Sequence, residues 1–116
     1  MKLDLREKLG VAILDIKGPL TLGGGERMLQ EAVDTLVASG RTQILLNLSK
    51  LEFVDSAGVG ELVASHRMVE RFGGHLKILN APSKVHKSLS LAKLLPIFEI
   101  FDDESEAVQS FTPEET

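Results

Sequence analysis

With 116 residues, no cysteine and a formal net charge of −4, the chain is long enough to bury a core unaided and excludes disulfides, thiolate metal sites and cysteine nucleophiles. Its basic residues are scattered, so the phosphate-neutralising surface that direct nucleic-acid binding needs is missing. Nothing reaches the ~20 apolar residues of a membrane span, and the opening Met1-Lys2-Leu3-Asp4-Leu5-Arg6 lacks a signal peptide's apolar run; one cytoplasmic domain over residues 1–116, without membrane insertion, is expected.

Leu3 and Leu5, then Val11, Ile13, Leu14 and Ile16, read as two strands joined at Lys8-Leu9-Gly10, an opening antiparallel hairpin. After Gly18-Pro19 and the run Gly23-Gly24-Gly25, apolar residues at Leu29, Ala32, Val33, Leu36 and Val37 form a stripe of period 3.6. Gly40 suits the position just past its end, which predicts a helix from Gly25 to Ser39. Gln43 to Leu48 is nearly continuously apolar, the pattern of a central strand covered on both faces.

A second helix is expected from Gly58 to Phe72, with Val59, Leu62, Val63, His66 and Val69 on its apolar stripe and Gly73-Gly74 as the stop. His75 to Leu79 reads as another buried strand, Pro82 opens a helix to Ala92, and Ile97 to Phe101 gives a last strand. Asp102 to Phe111 forms a final helix whose first-turn acids complement the helix dipole. Residues 112–116 read as a frayed acidic tail. Strand and helix alternate from residue 42 onward, which implies an α/β fold with helices on a largely parallel sheet.

The chemistry concentrates at Asp55-Ser56, where a strand gives way to a helix. The first N–H groups of a helix lack intrahelical partners and carry partial positive charge, so a phosphate on Ser56 could sit there. Such a phosphate adds about −1.5 to −2 charges. Gly58 and Gly60 would allow another backbone to approach. The plainer alternative is that Ser56 or Asp55 simply caps the helix.

The run Asp55-Ser56-Ala57-Gly58-Val59-Gly60 resembles the signature of the anti-sigma factor antagonist (STAS) family. The resemblance extends to Asn47-Leu48-Ser49, to Gly73-Gly74-His75-Leu76 and to Leu94-Leu95-Pro96-Ile97-Phe98 with the acidic segment that follows. It implies a four- or five-stranded mixed sheet with helices chiefly on one face, and a regulator with no enzymatic activity and no cofactor. The implied partners are an anti-sigma factor that is itself a serine kinase, bound when Ser56 is unmodified, and a PP2C-type phosphatase that removes phosphate from Ser56. The implied docking surface comprises Asp55, Ser56, Ala57, Gly58, Val59 and Leu62, although Val59 and Leu62 could equally face the core. A monomer is expected, acting in partner switching that regulates transcription under stress.

Three departures stand out. Gly18-Pro19-Leu20-Thr21 lacks the carboxylate that relatives often carry after the second strand, Ala57 replaces a second hydroxyl, and Asn47 stands where aspartate is common. A constitutive scaffold, or a STAS subunit of a transporter, is the alternative within the family.

A serine hydrolase is a remote alternative. With ~1.5 Å rise per residue, His66 lies roughly 15 Å along the helix from Ser56, beyond proton-transfer reach, and the turn lacks G-x-S-x-G. His66 is expected to be half-buried with a hydrogen-bond partner, and His66, His75 and His86 lack metal-ligand spacing, so no metal is expected. The Leu22-Gly23-Gly24-Gly25-Glu26 run has no Walker lysine and reads as a flexible loop more than a phosphate cradle.

Overall fold

The computed structural model describes residues 1–111; the expected frayed tail, residues 112–116, lies outside them. Strand β1 (Lys2–Lys8) pairs antiparallel with β2 (Val11–Leu20) through the two-residue turn Leu9-Gly10. Both turn residues have positive φ, 50° and 82°, the backbone sense that matches a hairpin's twist. Helix α1 (Gly25–Ala38), strand β3 (Gln43–Val54), helix α2 (Ser56–Arg71), strand β4 (His75–Leu79) and helix α3 (Ser83–Leu91) follow. A 3-10 turn over Leu95–Ile97 leads to β5 (Ile100–Phe101) and helix α4 (Glu104–Gln109).

The five strands lie in the order β1-β2-β3-β4-β5. Only β1 runs antiparallel to its neighbour, so the sheet is mixed, as expected. Central β3 explains the apolar run at its start: Ile44 and Leu46 join one core and Leu45 another. The larger core receives Leu29, Val33 and Leu36 from α1, Leu62 and Val69 from α2, and Val85 and Leu89 from α3. On the opposite face α4 sets Ala107 and Val108, with Phe111 just beyond it, against Val11, Ile13, Leu45 and Leu79. Helices therefore cover chiefly one face, with α4 shielding half of the other.

Several boundaries differ from the sequence pattern. Strand β2 continues through Gly18-Pro19 to Leu20, and β3 runs six residues past Leu48, because the two pair in parallel along their length. Helix α2 begins at Ser56 because Asp55 caps it, and α4 begins at Glu104 because the Asp103 carboxylate accepts from the Glu106 N–H at 2.9 Å. Pro82 stands one residue before α3, as its cap, and the last strand shrinks to two residues because Leu95–Ile97 forms the 3-10 turn.

Lys77 is buried in β4, which its charge gave no reason to expect. Its ammonium donates to the Ser110 carbonyl and hydroxyl, each at 3.0 Å, lies 3.2 Å from the Glu99 carboxylate and sits 4.6 Å from the centre of the Phe111 ring. These contacts satisfy the buried charge and fasten the end of α4 to the sheet.

Candidate functional site: the head of helix α2

Parallel pairing brings the end of β3 alongside the end of β2, with Val54 in register with Leu20. The chain then turns at Asp55 into α2. The extended backbone of Asp55 (φ −106°, ψ −175°) lets one carboxylate oxygen accept from the Gly58 N–H at 2.9 Å. Its other oxygen accepts from the Leu22 N–H at 3.0 Å, in the turn before α1.

Those hydrogen bonds, from Leu22 first and Gly58 second, hold the Asp55 carboxyl below the usual carboxylate range, with a further contribution from the Ala57 amide. Asp55 is therefore ionised at neutral pH. The capping role falls to Asp55, which leaves Ser56 as the first helical residue with its side chain in an exposed position. The helix end thus already holds one negative charge beside the serine. A phosphate on Ser56 would share that end with Asp55 and concentrate charge at one point.

The glycine run does not behave as a loose loop. The Gly23 N–H donates to Glu26 Oε1 at 3.2 Å, the Leu22 N–H is held by Asp55, and Gly25 packs so closely under Pro19 and Leu20 that a Cβ would strike the Pro19 carbonyl. These glycines form a turn that joins β2 to α1 and rests on the head of α2.

The residues singled out in the sequence divide into two groups. Asp55, Ala57 and Val59 are half-buried at the surface, and Ser56 and Gly60 are exposed. Leu62 is fully buried in the main core and offers no surface to a partner, which corrects the expectation that it adds docking area. Gly58 is also buried: a Cβ there would collide with the Leu20 carbonyl and press on Val54. Its smallness serves the approach of α2 to β2, not the approach of another protein.

Of the apolar residues around the serine, the sequence reading named Val59 and overlooked Val54, Leu91 and Leu94. Val54, Val59, Leu91 and Leu94 line a shallow groove with Asp55 and Ser56, and Leu91 at the end of α3 is 75% exposed. Leu22 and Phe53, on segments flanking Asp55, are 75% and 58% exposed. The available signal was that Leu22 and Leu91 fall off the helical stripes; only folding gathers them.

The histidines lie elsewhere. His66 is buried edge-on against Phe98, ring centres 5.1 Å apart, with the Glu70 carboxylate at 3.8 Å. Its Nδ1 lacks the hydrogen-bond partner expected for it among the described residues. The helix from Ser56 to Arg71 is continuous, so the ten-residue separation of Ser56 and His66 stands. His75 Nδ1 lies 3.0 Å from Gln43 Oε1. No group of three or more potential metal ligands occurs among the described residues, and no helix among them is long and apolar enough to cross a membrane.

Residues 2–107 match the family model described as STAS domain. The chain belongs to the STAS domain family. Over 108 residues it is 23% identical to the anti-sigma F factor antagonist of Paenibacillus polymyxa, covering 93% of this chain and 92% of that one. A Thermotoga maritima relative is 33% identical over 76 residues, 66% of this chain and 67% of the relative. Among solved structures, the solution structure of the protein TM1081 superposes with a TM-score of 0.83 at 26% identity, over 96% of this STAS domain and 89% of TM1081. The Bacillus cell fate determinant SpoIIAA, in its phosphorylated form, gives 0.74 at 23% identity over 94% and 98% of the two chains, a likeness of fold.

Proposed function

We propose that this STAS domain is a cytoplasmic, single-domain anti-sigma factor antagonist whose docking surface is centred on the head of α2 and whose switch is phosphorylation of Ser56. The observation that carries this reading is the placement of an exposed Ser56 beside an ionised Asp55, at the edge of an apolar groove. In the unmodified state Val59, Leu91 and neighbouring apolar side chains give a partner area to bury. The partner is an anti-sigma factor that is itself a serine kinase, and a PP2C-type phosphatase restores the hydroxyl. The domain acts as a monomer and catalyses nothing itself.

Phosphate ends the interaction through desolvation and repulsion. An anion pressed into a tight interface without a matching cation costs several kcal/mol, and Asp55 adds like charge within the same helix turn. A loss of ~3 kcal/mol corresponds to more than a hundredfold weaker binding.

The test begins with phosphopeptide mapping of the protein from its native cells, which should find condition-dependent phosphate on Ser56. Ser56→Ala is then used to capture the kinase, and the affinities of wild type and Ser56→Asp for it are compared. Ser56→Asp should bind at least about a hundredfold more weakly while keeping its amide spectrum. Equal affinities, or a serine that stays unmodified while the partners are expressed, would overturn the switch.

A further inference from the structure

The sheet face opposite α1, α2 and α3 is only half covered. Helix α4 shields the part around Ile13, Leu45 and Leu79. The remaining part forms an open polar cavity of about 400 Å³, lined among others by Lys2, Lys17, Asn47, Ser49 and Lys50. That size falls within the range of small-molecule sites.

Strand register sets three lysines side by side. Lys2 of β1 is directly opposite Lys17 of β2, and Lys17 is in register with Lys50 of β3. The second pairing depends on a bulge. Asp15 pairs with Asn47, yet two residues later Lys17 pairs with Lys50, three residues on, so β3 carries an extra residue. Ser49 and Lys50 are consequently both exposed in succession between buried Leu48 and Leu51. A regular strand would have set Ser49 opposite Lys17; the bulge adds a third ammonium and keeps the serine in the same cavity.

Like charges directly opposite one another on adjacent strands destabilise a sheet, and the two carboxylates that also line the cavity, Asp4 and Asp15, do not pair with them. None of the three lysines forms an ion pair among the described residues. The nearby Asp15 carboxylate is already committed to the Arg6 guanidinium, at 2.6 and 3.0 Å, and to Asn47 Nδ2 at 2.7 Å. Arg6 in turn is shared with Glu104. Lys2, Lys17, Lys50 and Arg6 outnumber the lining carboxylates Asp4 and Asp15, so on a chain of net charge −4 the cavity gathers an excess of positive charge.

We propose that this cavity binds a small molecule bearing a diphosphate, with the Lys2, Lys17 and Lys50 ammonium groups as its counter-charges and the Ser49 hydroxyl as a neutral donor. Strands are about 4.8 Å apart, so the three backbone positions span about 10 Å, a row better matched to two linked phosphates than to one. Asn47, fixed by its bond to Asp15 and by accepting from the Ser49 N–H at 3.2 Å, is a positioning residue for the bulge. Bound anion would relieve the mutual repulsion of the lysines, so occupancy stabilises the fold. The site is separate from the head of α2 and does not depend on the function proposed there.

The experiment uses the full chain with inorganic pyrophosphate as probe and sulfate at equal ionic strength as control. Pyrophosphate should give saturable amide shifts centred on residues 2–6, 15–17 and 47–50 and should raise Tm beyond the rise with sulfate. Lys17→Gln and Lys50→Gln should each weaken the binding by about tenfold. Without ligand, each variant should melt at or above the wild-type temperature, because a repelling charge has gone; a merely structural role for these lysines would lower it. Unsaturated shifts shared with sulfate, or variants that bind as wild type does, would overturn the proposal, as would binding restricted to the head of α2. ADP binding more tightly than pyrophosphate would uphold the site and place the diphosphate on a nucleotide; weaker ADP binding would uphold it for the free diphosphate.

Discussion

The Asp55 carboxylate accepts from the Leu22 N–H at 3.0 Å while capping α2 through Gly58 at 2.9 Å, so one side chain ties the helix that carries Ser56 to the turn before α1. Replacing Asp55 with alanine removes both links at once. Tm should fall by a few degrees, and hydrogen exchange should quicken together in residues 22–25 and in the first turn of α2. Asp55→Asn, which keeps an acceptor oxygen, should recover part of the loss. Differential scanning calorimetry with amide exchange would check this, and exchange changing in only one segment would refute the coupling.

Two neighbouring apolar residues of α2 should respond oppositely. Leu62 is fully buried, so Leu62→Ala should cost about 2–5 kcal/mol in urea unfolding. Val59 is half-buried along the groove, so Val59→Ala should cost less than about 1 kcal/mol. If the groove is the docking surface, Val59→Ala weakens partner binding without unfolding the domain.

Acid should destabilise the protein partly through Glu104. Hydrogen bonds from Arg6 and Lys8 lower its pKa from 4.5 to about 2. A depressed carboxylate contributes stability that is fully present above the unfolded value and lost as pH falls through the folded one. The Tm difference between wild type and Glu104→Gln should thus be constant above pH 4.5 and shrink between pH 4.5 and about 2. Arg6 is 41% exposed at its side chain, so solvent screening limits the contribution to about 1 kcal/mol or less, and added salt should reduce it. Asp15, lowered chiefly by its bond from Arg6, leaves the variant with acid sensitivity of the same sign.

Lys77 should anchor α4. Lys77→Met keeps the stem's packing but removes the bonds to Ser110 and the ion pair with Glu99. A loss of about 1–3 kcal/mol is expected, with exchange protection lost first in residues 104–109. Uniform loss of protection would show that Lys77 serves the whole core instead.

The sequence by itself determined most of the elements and the strand-to-helix junction on which the proposed switch is placed. Period-2 and period-3.6 apolar patterns located the opening hairpin, the first two helices and the strand His75–Leu79 because each element must bury one face. The strand-to-helix change at Asp55-Ser56 was legible because a cap needs an oxygen there. Tertiary structure alone assigned the roles within that segment. Periodicity marks which helical residues are apolar but not how deep they lie, so the burial of Leu62 and the need for Gly58 beneath Leu20 emerged only with the packing. The bond from Leu22 to Asp55 spans 33 residues, and the bulge that sets Lys50 opposite Lys17 depends on how β2 and β3 register. Both arise from relations between segments distant in the chain, which local patterns do not encode.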